Sequence, residues 1–364
     1  MQYEKVVENL SKFMKKIQDE ESRGLFDLRL QYLIKRNQDE FYTGLDKILS
    51  NGGKRTYGCW RLNQYEQRNS ENKGKSIVIF GAGANGRLTC RSMKYINRKV
   101  DCFADNNPRL WETEWEGTKI CNPANLYKKY KDSIIVIAVL QRNHQAAIYQ
   151  QLIREGFRES DILIPQEGYL YCDMANQYFD IKEVYPKSED EVFVDAGCYN
   201  GQTSLNYGKL CRGKIKIVAF EPEHSNYLEC DRRLKQSGYE YELYECATWS
   251  GETTLNFSAA EGETYASGIC ANGNNSVKAD SIDHVLKGRK ATYIKYDVEG
   301  SELEALKGSI ETIQEYRPKL AISLYHKPED VIEIPDFLED LNLDYRYYIR
   351  QYQTRMQETT LYAI

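Results

Sequence analysis

Twice in this chain a β-branched run breaks into closely spaced glycines, and each time the next such run ends in an acidic residue. In VFVDAGCYNGQTS the residues are Asp195, Gly197 and Gly201, spaced D-x-G-x-x-x-G, and the following strand ends at Glu221 before Pro222. Glycine lets backbone approach a ligand closely and take positive φ, and the helix that follows offers free N–H groups. An acid at the end of the neighbouring strand can accept hydrogen bonds from both hydroxyls of a ribose. No third glycine stands at dinucleotide spacing, and no Gly-Lys-Ser/Thr follows. This pattern favours a nucleoside without a phosphate chain, and S-adenosylmethionine is such a ligand. In FGAGANG the residues are Gly81, Gly83 and Gly86, with Asp105 about 20 residues beyond, which matches the dinucleotide fingerprint. A bound nucleotide or nucleotide-sugar is one reading of that turn; helix–strand packing is the other.

A second set could move a proton. Asp297 and Glu299 close a strand in YDVEG, and His326 follows another in LYHKP. A His with a pKa of roughly 6.5 suits general-base work near neutrality, oriented by a carboxylate. The three could instead hold a divalent metal that polarises the acceptor. Asp297 has a structural alternative as the cap of a helix beginning at Ser301 and Glu302. Because alternate strand residues face opposite ways, only one of Asp297 and Glu299 is expected to face the site.

Three segments position these residues. Residues 1–70 read as a helical segment: Val6, Leu10, Phe13, Met14 and Ile17 fall three and four apart, and a second stretch runs from Leu25 to Leu49. The polar text between Ser50 and Lys75 reads as a boundary. Residues 71–168 alternate strand and helix around the first turn, giving a Rossmann-like sheet of nucleotide-binding type. After a Tyr-rich connector, residues 180–364 repeat the theme with seven strands. The fold class is α/β, with two tandem sheets of parallel type.

Composition narrows the partners. The formal charge is −5, from 49 basic and 54 acidic residues, with a pI near 5.7, which argues against a nucleic-acid surface. Ten cysteines without a C-x-x-C pair read as reduced thiols. No apolar run approaches the roughly 20 residues of a bilayer span, and the N-terminus lacks a secretory pattern, so a cytoplasmic protein is expected, with no membrane partner. The N-terminal helices could support a homo-oligomer, although amphipathic helices more commonly pack on their own domain. Tyrosine is abundant, 29 residues against 11 Phe. Tyr169, Tyr171 and Tyr178 in the connector, and Tyr345, Tyr347, Tyr348 and Tyr352 near the C-terminus, are expected to flank an acceptor pocket suited to sugar rings.

Taken in order, VFVDAGCYNGQTS, AFEPE, ECATWSGETTLNF, YIKYDVEGSELEALKGS, PKLAISLYHKPEDVIEIPDFL and ETTLYAI resemble the FkbM-type class I methyltransferases over residues 185–364. The resemblance implies a seven-stranded sheet that binds S-adenosylmethionine and O-methylates a hydroxyl on a sugar, nucleotide-sugar or related small metabolite. It places Asp195, Gly197 and Gly201 around the methionine part, Glu221 on the ribose, and Ala247 and Thr248 near adenine. Cys246 stands where the family often has Asn or Asp, and Gln351 and Tyr352 where it commonly has His-Tyr. Two other classes remain open. A nicotinamide-dependent sugar-nucleotide oxidoreductase or epimerase would work from the first turn, but no Tyr-x-x-x-Lys follows that turn. A non-catalytic nucleotide-binding scaffold would leave the acidic strand ends unused.

Overall fold

The computed structural model describes residues 2–51, 74–95, 98–139, 141–164, 177–188, 190–258, 268–269, 275–353 and 356–364. The expected boundary at 52–73 and the connector bearing Tyr169 and Tyr171 lie outside the described residues. The chain divides into two compact units, one made of residues 1–41, 176–351 and 357–364, the other of 42–175 and 352–356. The helical start is therefore not a segment of its own, because its first 41 residues belong with the second α/β unit.

Helices α1 (Gln2–Lys16), α2 (Glu20–Lys35) and α3 (Gln38–Asn51) open the chain. The single helix expected from Leu25 to Leu49 is broken at Arg36, which takes φ 52°. The Asn37 side chain then accepts from the backbone N–H groups of Asp39 and Glu40 and starts a new helix.

In the unit containing residues 42–175, the sheet comprises β1 (Ile77–Phe80), β2 (Val100–Ala104), β3 (Glu114–Trp115), β4 (Thr118–Cys121), β5 (Ile134–Ile137) and β6 (Ile162–Leu163). Their order is β3-β4-β2-β1-β5-β6, and only the short β3–β4 hairpin, which alternation did not reveal, is antiparallel. Helices α4 (Ala84–Tyr95), α5 (Leu126–Tyr130) and α6 (Arg142–Glu155) are interleaved with the strands. Ile77 to Phe80 and Ile134 to Ile137 are buried throughout, as expected where both sheet faces are covered. One reading of the cysteines fails here: Cys102 and Cys121 are joined by a disulfide. They lie 19 residues apart on the paired strands β2 and β4, a proximity that sequence spacing does not reveal. The other described cysteines, Cys90, Cys198, Cys211, Cys230 and Cys246, form no disulfide.

The other unit carries the seven expected strands: β7 (Glu191–Ala196), β8 (Ile215–Phe220), β9 (Glu240–Tyr244), β14 (Tyr293–Tyr296), β15 (Lys319–Ser323), β16 (Tyr347–Gln351) and β17 (Thr359–Ala363). Their order is β16-β17-β15-β14-β7-β8-β9, all parallel except β17, which runs against both β15 and β16. Between β9 and β14 the chain builds a second, four-stranded sheet that the sequence did not reveal, from β10 (Ala247–Thr248), β11 (Thr253–Ser258), β12 (Gly268–Ile269) and β13 (Asn275–Asp280). Helices α7 (Gln202–Leu210), α8 (His224–Ser237), α9 (Ile282–Leu286), α10 (Glu302–Lys307), α11 (Ile310–Tyr316) and α12 (Asp330–Asp340) complete the unit.

Helices α1 and α2 cover the exposed edge of this sheet. Asn9 donates to Asp336 at 2.8 Å, Lys16 pairs with Glu339 at 3.0 Å, and the Ser22 hydroxyl accepts from the Ile349 N–H on β16 at 2.8 Å. An edge strand with unpaired backbone invites aggregation, and this covering removes part of it.

Among the described residues, eight of the tyrosines are core. Tyr207, Tyr293, Tyr296, Tyr345, Tyr347 and Tyr362 are among the largest fully buried side chains. Several of their hydroxyls find internal acceptors, for example Tyr345 on the Pro318 carbonyl and Tyr347 on Glu339, both at 2.8 Å. Tyr345, Tyr347 and Tyr352 are thus buried rather than presented to an acceptor, and the half-buried Tyr348 donates to Glu183. Among the described residues no helix is long and apolar enough to cross a membrane.

Candidate active site

The chain leaves β7 to build β8 and β9 on one side and returns to build β14 and β15 on the other. The carboxyl ends of β7 and β14 therefore form a topological switch point, where ligands bind in open α/β sheets. Both sequence-predicted sets converge there.

The turn after β7 is built by close approach. Gly197 has φ 79°, and a Cβ on it would lie 2.0 Å from the Asp297 carbonyl oxygen. Gly201 has φ 75° and opens α7, and its Cβ would meet Cys230 Sγ at 2.9 Å. Asp195 is fully buried and points inward, accepting from the Ser204 hydroxyl at 2.6 Å with Lys295 Nζ 3.2 Å away. It anchors the turn from beneath.

Glu221 follows β8 and is 6% exposed. It accepts from the Tyr199 N–H at 2.8 Å and the Glu223 N–H at 3.0 Å. Burial outweighs these bonds and pushes its pKa up to about 7. Ala247 and Thr248 lie on β10, beside Ala279 and Asp280 of β13. Thr248 is 2% exposed and its hydroxyl has no hydrogen-bond partner among the described residues. The neighbouring Cys246 is half-buried, and burial followed by the Asp280 charge pushes its thiol up to about 12.

Beyond β14, Asp297 sits in a ring of donors. One carboxylate oxygen accepts from Ser323 at 2.8 Å and Tyr325 at 3.3 Å, the other from Tyr178 at 3.0 Å. Burial alone would raise its pKa, but Lys295 and His326, with the Ser323 and Tyr178 hydroxyls, hold it below the ordinary range. Asp297 does not cap the following helix. The N-cap is Ser301, which makes no side-chain cap bond, and the Glu302 carboxylate instead ties down the preceding turn, accepting from the Val298 N–H at 2.9 Å and the Gly300 N–H at 3.4 Å.

Strand alternation does not separate Asp297 from Glu299, because the strand has already ended. Glu299 takes φ 53° and Gly300 φ 93°, so the chain turns and both carboxylates reach one histidine. His326 Nε2 lies 3.3 Å from Glu299 and 3.8 Å from Asp297, while Nδ1 is 2.8 Å from Glu302. Burial would lower the pKa of this ring, but Glu302, Glu299 and Asp297 raise it well above the usual value. These carboxylates favour the protonated ring over the neutral one that general-base work needs.

Ligand atoms of Asp297, Glu302 and His326 come within 4.8 Å of one another, a spacing that could hold a metal ion. The surroundings do not fit one. Nδ1 is taken by Glu302, the Lys295 ammonium is 3.8 Å from Asp297, and both Asp297 oxygens already accept hydroxyl protons. No metal step is derived.

Sequence reasoning missed Lys295, Glu302 as a site residue, Gln177, Ser323, Tyr325 and Glu358. Lys295 had a signal, as the one charged residue in an otherwise apolar buried strand, YIKY. Glu358, just before β17, had none. It accepts from Gln177 at 2.6 Å and lies 3.5 Å from the Tyr325 hydroxyl, and burial followed by Asp297 pushes its pKa up to about 7.

In the other unit, Gly81 has φ 107°, and a Cβ on Gly86 would overlap the Gly81 carbonyl oxygen at 1.7 Å, so both glycines serve packing of turn on helix. A Cβ on Gly83 would meet nothing within 4 Å. Asp105 accepts from the Ala82 N–H at 2.7 Å and the Asn107 N–H at 2.8 Å.

Residues 195–347 match the family described as the methyltransferase FkbM domain. No curated protein sequence matches the chain. A solved FkbM methyltransferase from Methylobacillus flagellatus is similar at 17% identity and a TM-score of 0.48, covering 90% of this chain and 99% of that one. Fibrillarin from Aeropyrum pernix, solved with natively bound S-adenosyl-L-methionine, is similar at 9% identity and a TM-score of 0.35, covering 52% of this chain and 73% of that one. The O-methyltransferase TomG from Streptomyces achromogenes, solved with the same donor, is similar at 10% identity and a TM-score of 0.32, covering 52% of this chain and 85% of that one.

Proposed function

Residues 195–347 are an FkbM methyltransferase domain, and from that premise we propose that the protein moves the methyl group of S-adenosylmethionine to a hydroxyl of a sugar, nucleotide-sugar or related small metabolite. The observation that carries the reading is the abutment of Gly197 on Asp297. It sets a ribose-type acid, Glu221, and a proton-handling cluster on opposite sides of one turn. Methyl transfer from a sulfonium is an in-line displacement, so alignment of donor and acceptor supplies much of the rate.

The donor side comprises Gly197 and Gly201, whose turn cradles the methionine part above Asp195. Glu221 accepts from the ribose hydroxyls with the lone pairs its backbone bonds leave. Ala247 and Thr248 flank adenine, and the unpartnered Thr248 hydroxyl is available to the base edge. On the acceptor side, Asp297, Glu299 and His326 hold the hydroxyl, with His326 acting as a fixed cation that keeps the carboxylates in place. The hydroxyl proton goes to Glu358. Glu358 shares the donor ring of Asp297 through the Tyr325 hydroxyl, 3.5 Å away, and burial pushes its pKa up to about 7, which suits a proton acceptor near neutrality.

The protein is tested by calorimetric titration with S-adenosylmethionine, then with tritiated-methyl donor and a panel of monosaccharides and nucleotide-sugars. Label in a methyl ether on the sugar supports the reading. Absence of donor binding at millimolar concentration sinks it.

A nucleotide or nucleotide-sugar site at Gly81, Gly83, Gly86 and Asp105 is a second reading. It is favoured by the open space at Gly83 and by Asp105, which makes the same two backbone contacts as Glu221. Such a site could present the acceptor. Titration of the full chain with NAD and nucleotide-sugars tests it, and no heat with any of them removes it.

A further inference from the structure

Lys295 is a lysine whose side chain is 3% exposed, set in the centre of a parallel sheet. Its ammonium donates to the Gly197 carbonyl at 2.6 Å, lies 3.2 Å from Asp195 and 3.8 Å from Asp297, and sits 5.5 Å from the centre of the Tyr178 ring. It therefore touches the floor of the glycine turn, the turn's carbonyl and the carboxylate just beyond its own strand.

The fold does not need a charge there. In the unit containing residues 42–175, the strand that enters the glycine turn also pairs in parallel with the strand beside it, with Ile79 opposite Val136 and Phe80 opposite Ile137. In the methyltransferase unit the matching pairs are Asp195 opposite Lys295 and Ala196 opposite Tyr296. The next backbone bond is also repeated, Ala138 N–H to the Phe80 carbonyl and Asp297 N–H to the Ala196 carbonyl. One chain thus builds the same strand–turn arrangement with Ile, Val and Ala, and again with Asp, Lys and Asp. A buried ion pair is weak evidence for stability, since well-packed apolar residues often replace one without loss.

We propose that Lys295 is a positioning residue, fixing the Gly197 carbonyl and Asp297 to one ammonium so that the donor turn and the acceptor-side carboxylate keep a single alignment. The inference rests on the reading of S-adenosylmethionine as donor. Removing the ammonium leaves a buried carbonyl and two carboxylates short of their shared cation. The turn then moves toward other donors, and the cradle for the methionine part loosens.

Lys319 supplies the control. It lies at the opposite, amino end of the same sheet, donating to the Val184 and Tyr185 carbonyls at 3.1 Å and lying 3.8 Å from Glu191. Full-length wild type, Lys295→Met and Lys319→Met are titrated calorimetrically with S-adenosylhomocysteine, and their thermal midpoints are measured in parallel. The expected result is affinity weakened at least tenfold in Lys295→Met but within twofold of wild type in Lys319→Met, with both midpoints lowered. Should Lys295→Met not fold, Asp195→Ile with Lys295→Val installs the pair that the other unit carries at this register. That variant is expected to fold at an undiminished midpoint and still lose affinity tenfold. Affinity within twofold of wild type in the folded Lys295 variant, or an equal loss in Lys319→Met, overturns the proposal. Wild type that binds neither S-adenosylhomocysteine nor S-adenosylmethionine overturns the donor reading itself.

Discussion

The two glycine turns share their backbone plan and differ in what the strands around them carry. In each, an acid after the second strand accepts one N–H from the turn and one from two residues further along its own chain: Ala82 and Asn107 for Asp105, Tyr199 and Glu223 for Glu221. In each, a glycine avoids backbone from across the turn, Gly86 against Gly81 and Gly197 against Asp297. Around the turn at residues 81–86 the facing strand positions are apolar and fully buried. Around the other, Asp195, Lys295 and Asp297 form an ionic set that continues into His326, Glu299 and Glu302. The acid and the glycines therefore belong to the architecture of such turns, and the charges one layer below distinguish a site equipped for chemistry from a shared scaffold.

The sharpest way to break that comparison is at the glycines. Gly197→Ala puts a methyl group 2.0 Å from a carbonyl oxygen at φ 79°, and is expected to cost at least about 3 kcal/mol and to abolish donor binding. Gly83→Ala meets open space and should stay within ~0.5 kcal/mol of wild type in a denaturant titration. A Gly83→Ala variant as unstable as Gly197→Ala would show that the two turns are not built as described.

The acids come next. Glu221→Ala is expected to weaken S-adenosylhomocysteine binding by ~2 kcal/mol, roughly thirtyfold, through lost charged hydrogen bonds to ribose. Asp105→Ala should leave that affinity unchanged while lowering stability by ~1–2 kcal/mol, since two turn N–H groups lose their acceptor. Equal effects of both on donor affinity would contradict the assignment of the donor to the second turn.

The smallest effect is in pH. Burial pushes Glu221 up to about 7, so the anion proposed to accept ribose hydroxyls forms as pH rises through 7. Donor affinity should increase from pH 6 to pH 8, approaching tenfold per unit only on the acid side. Glu221, Glu358 and Asp330 all have folded pKa values raised to about 7, with burial the first cause in each. Their contribution to stability is present below the unfolded carboxyl range and is lost as pH rises through 7, so the unliganded thermal midpoint should fall over the interval in which affinity grows. A midpoint that rises from pH 6 to pH 8 would contradict the burial of these carboxyls.

Much of the plan was legible in the sequence because it is local. The seven strands around VFVDAG, the glycines that need positive φ or close approach, and the acid after the second strand are each encoded in a short run of adjacent residues. What the sequence left open depends on atoms brought together from distant positions. The His326 reading changed because three carboxylates from a strand end, a turn and a helix surround one ring. The tyrosines became core because their hydroxyls meet acceptors such as Pro318 and Glu339. The disulfide required the parallel pairing of β2 with β4. Glu358 approaches Asp297 only because the final strand runs back antiparallel beside β15.

By itself, then, the sequence determined the order of the elements and the residue types at the strand ends, since both follow from short-range periodicity and backbone freedom. The protonation of those residues was decided only by tertiary structure. A pKa is set by burial, charges and hydrogen bonds a few ångströms away, and in this protein those groups come from segments a hundred or more residues apart, as Lys295 beside Asp195 and Tyr178 beside Asp297 show.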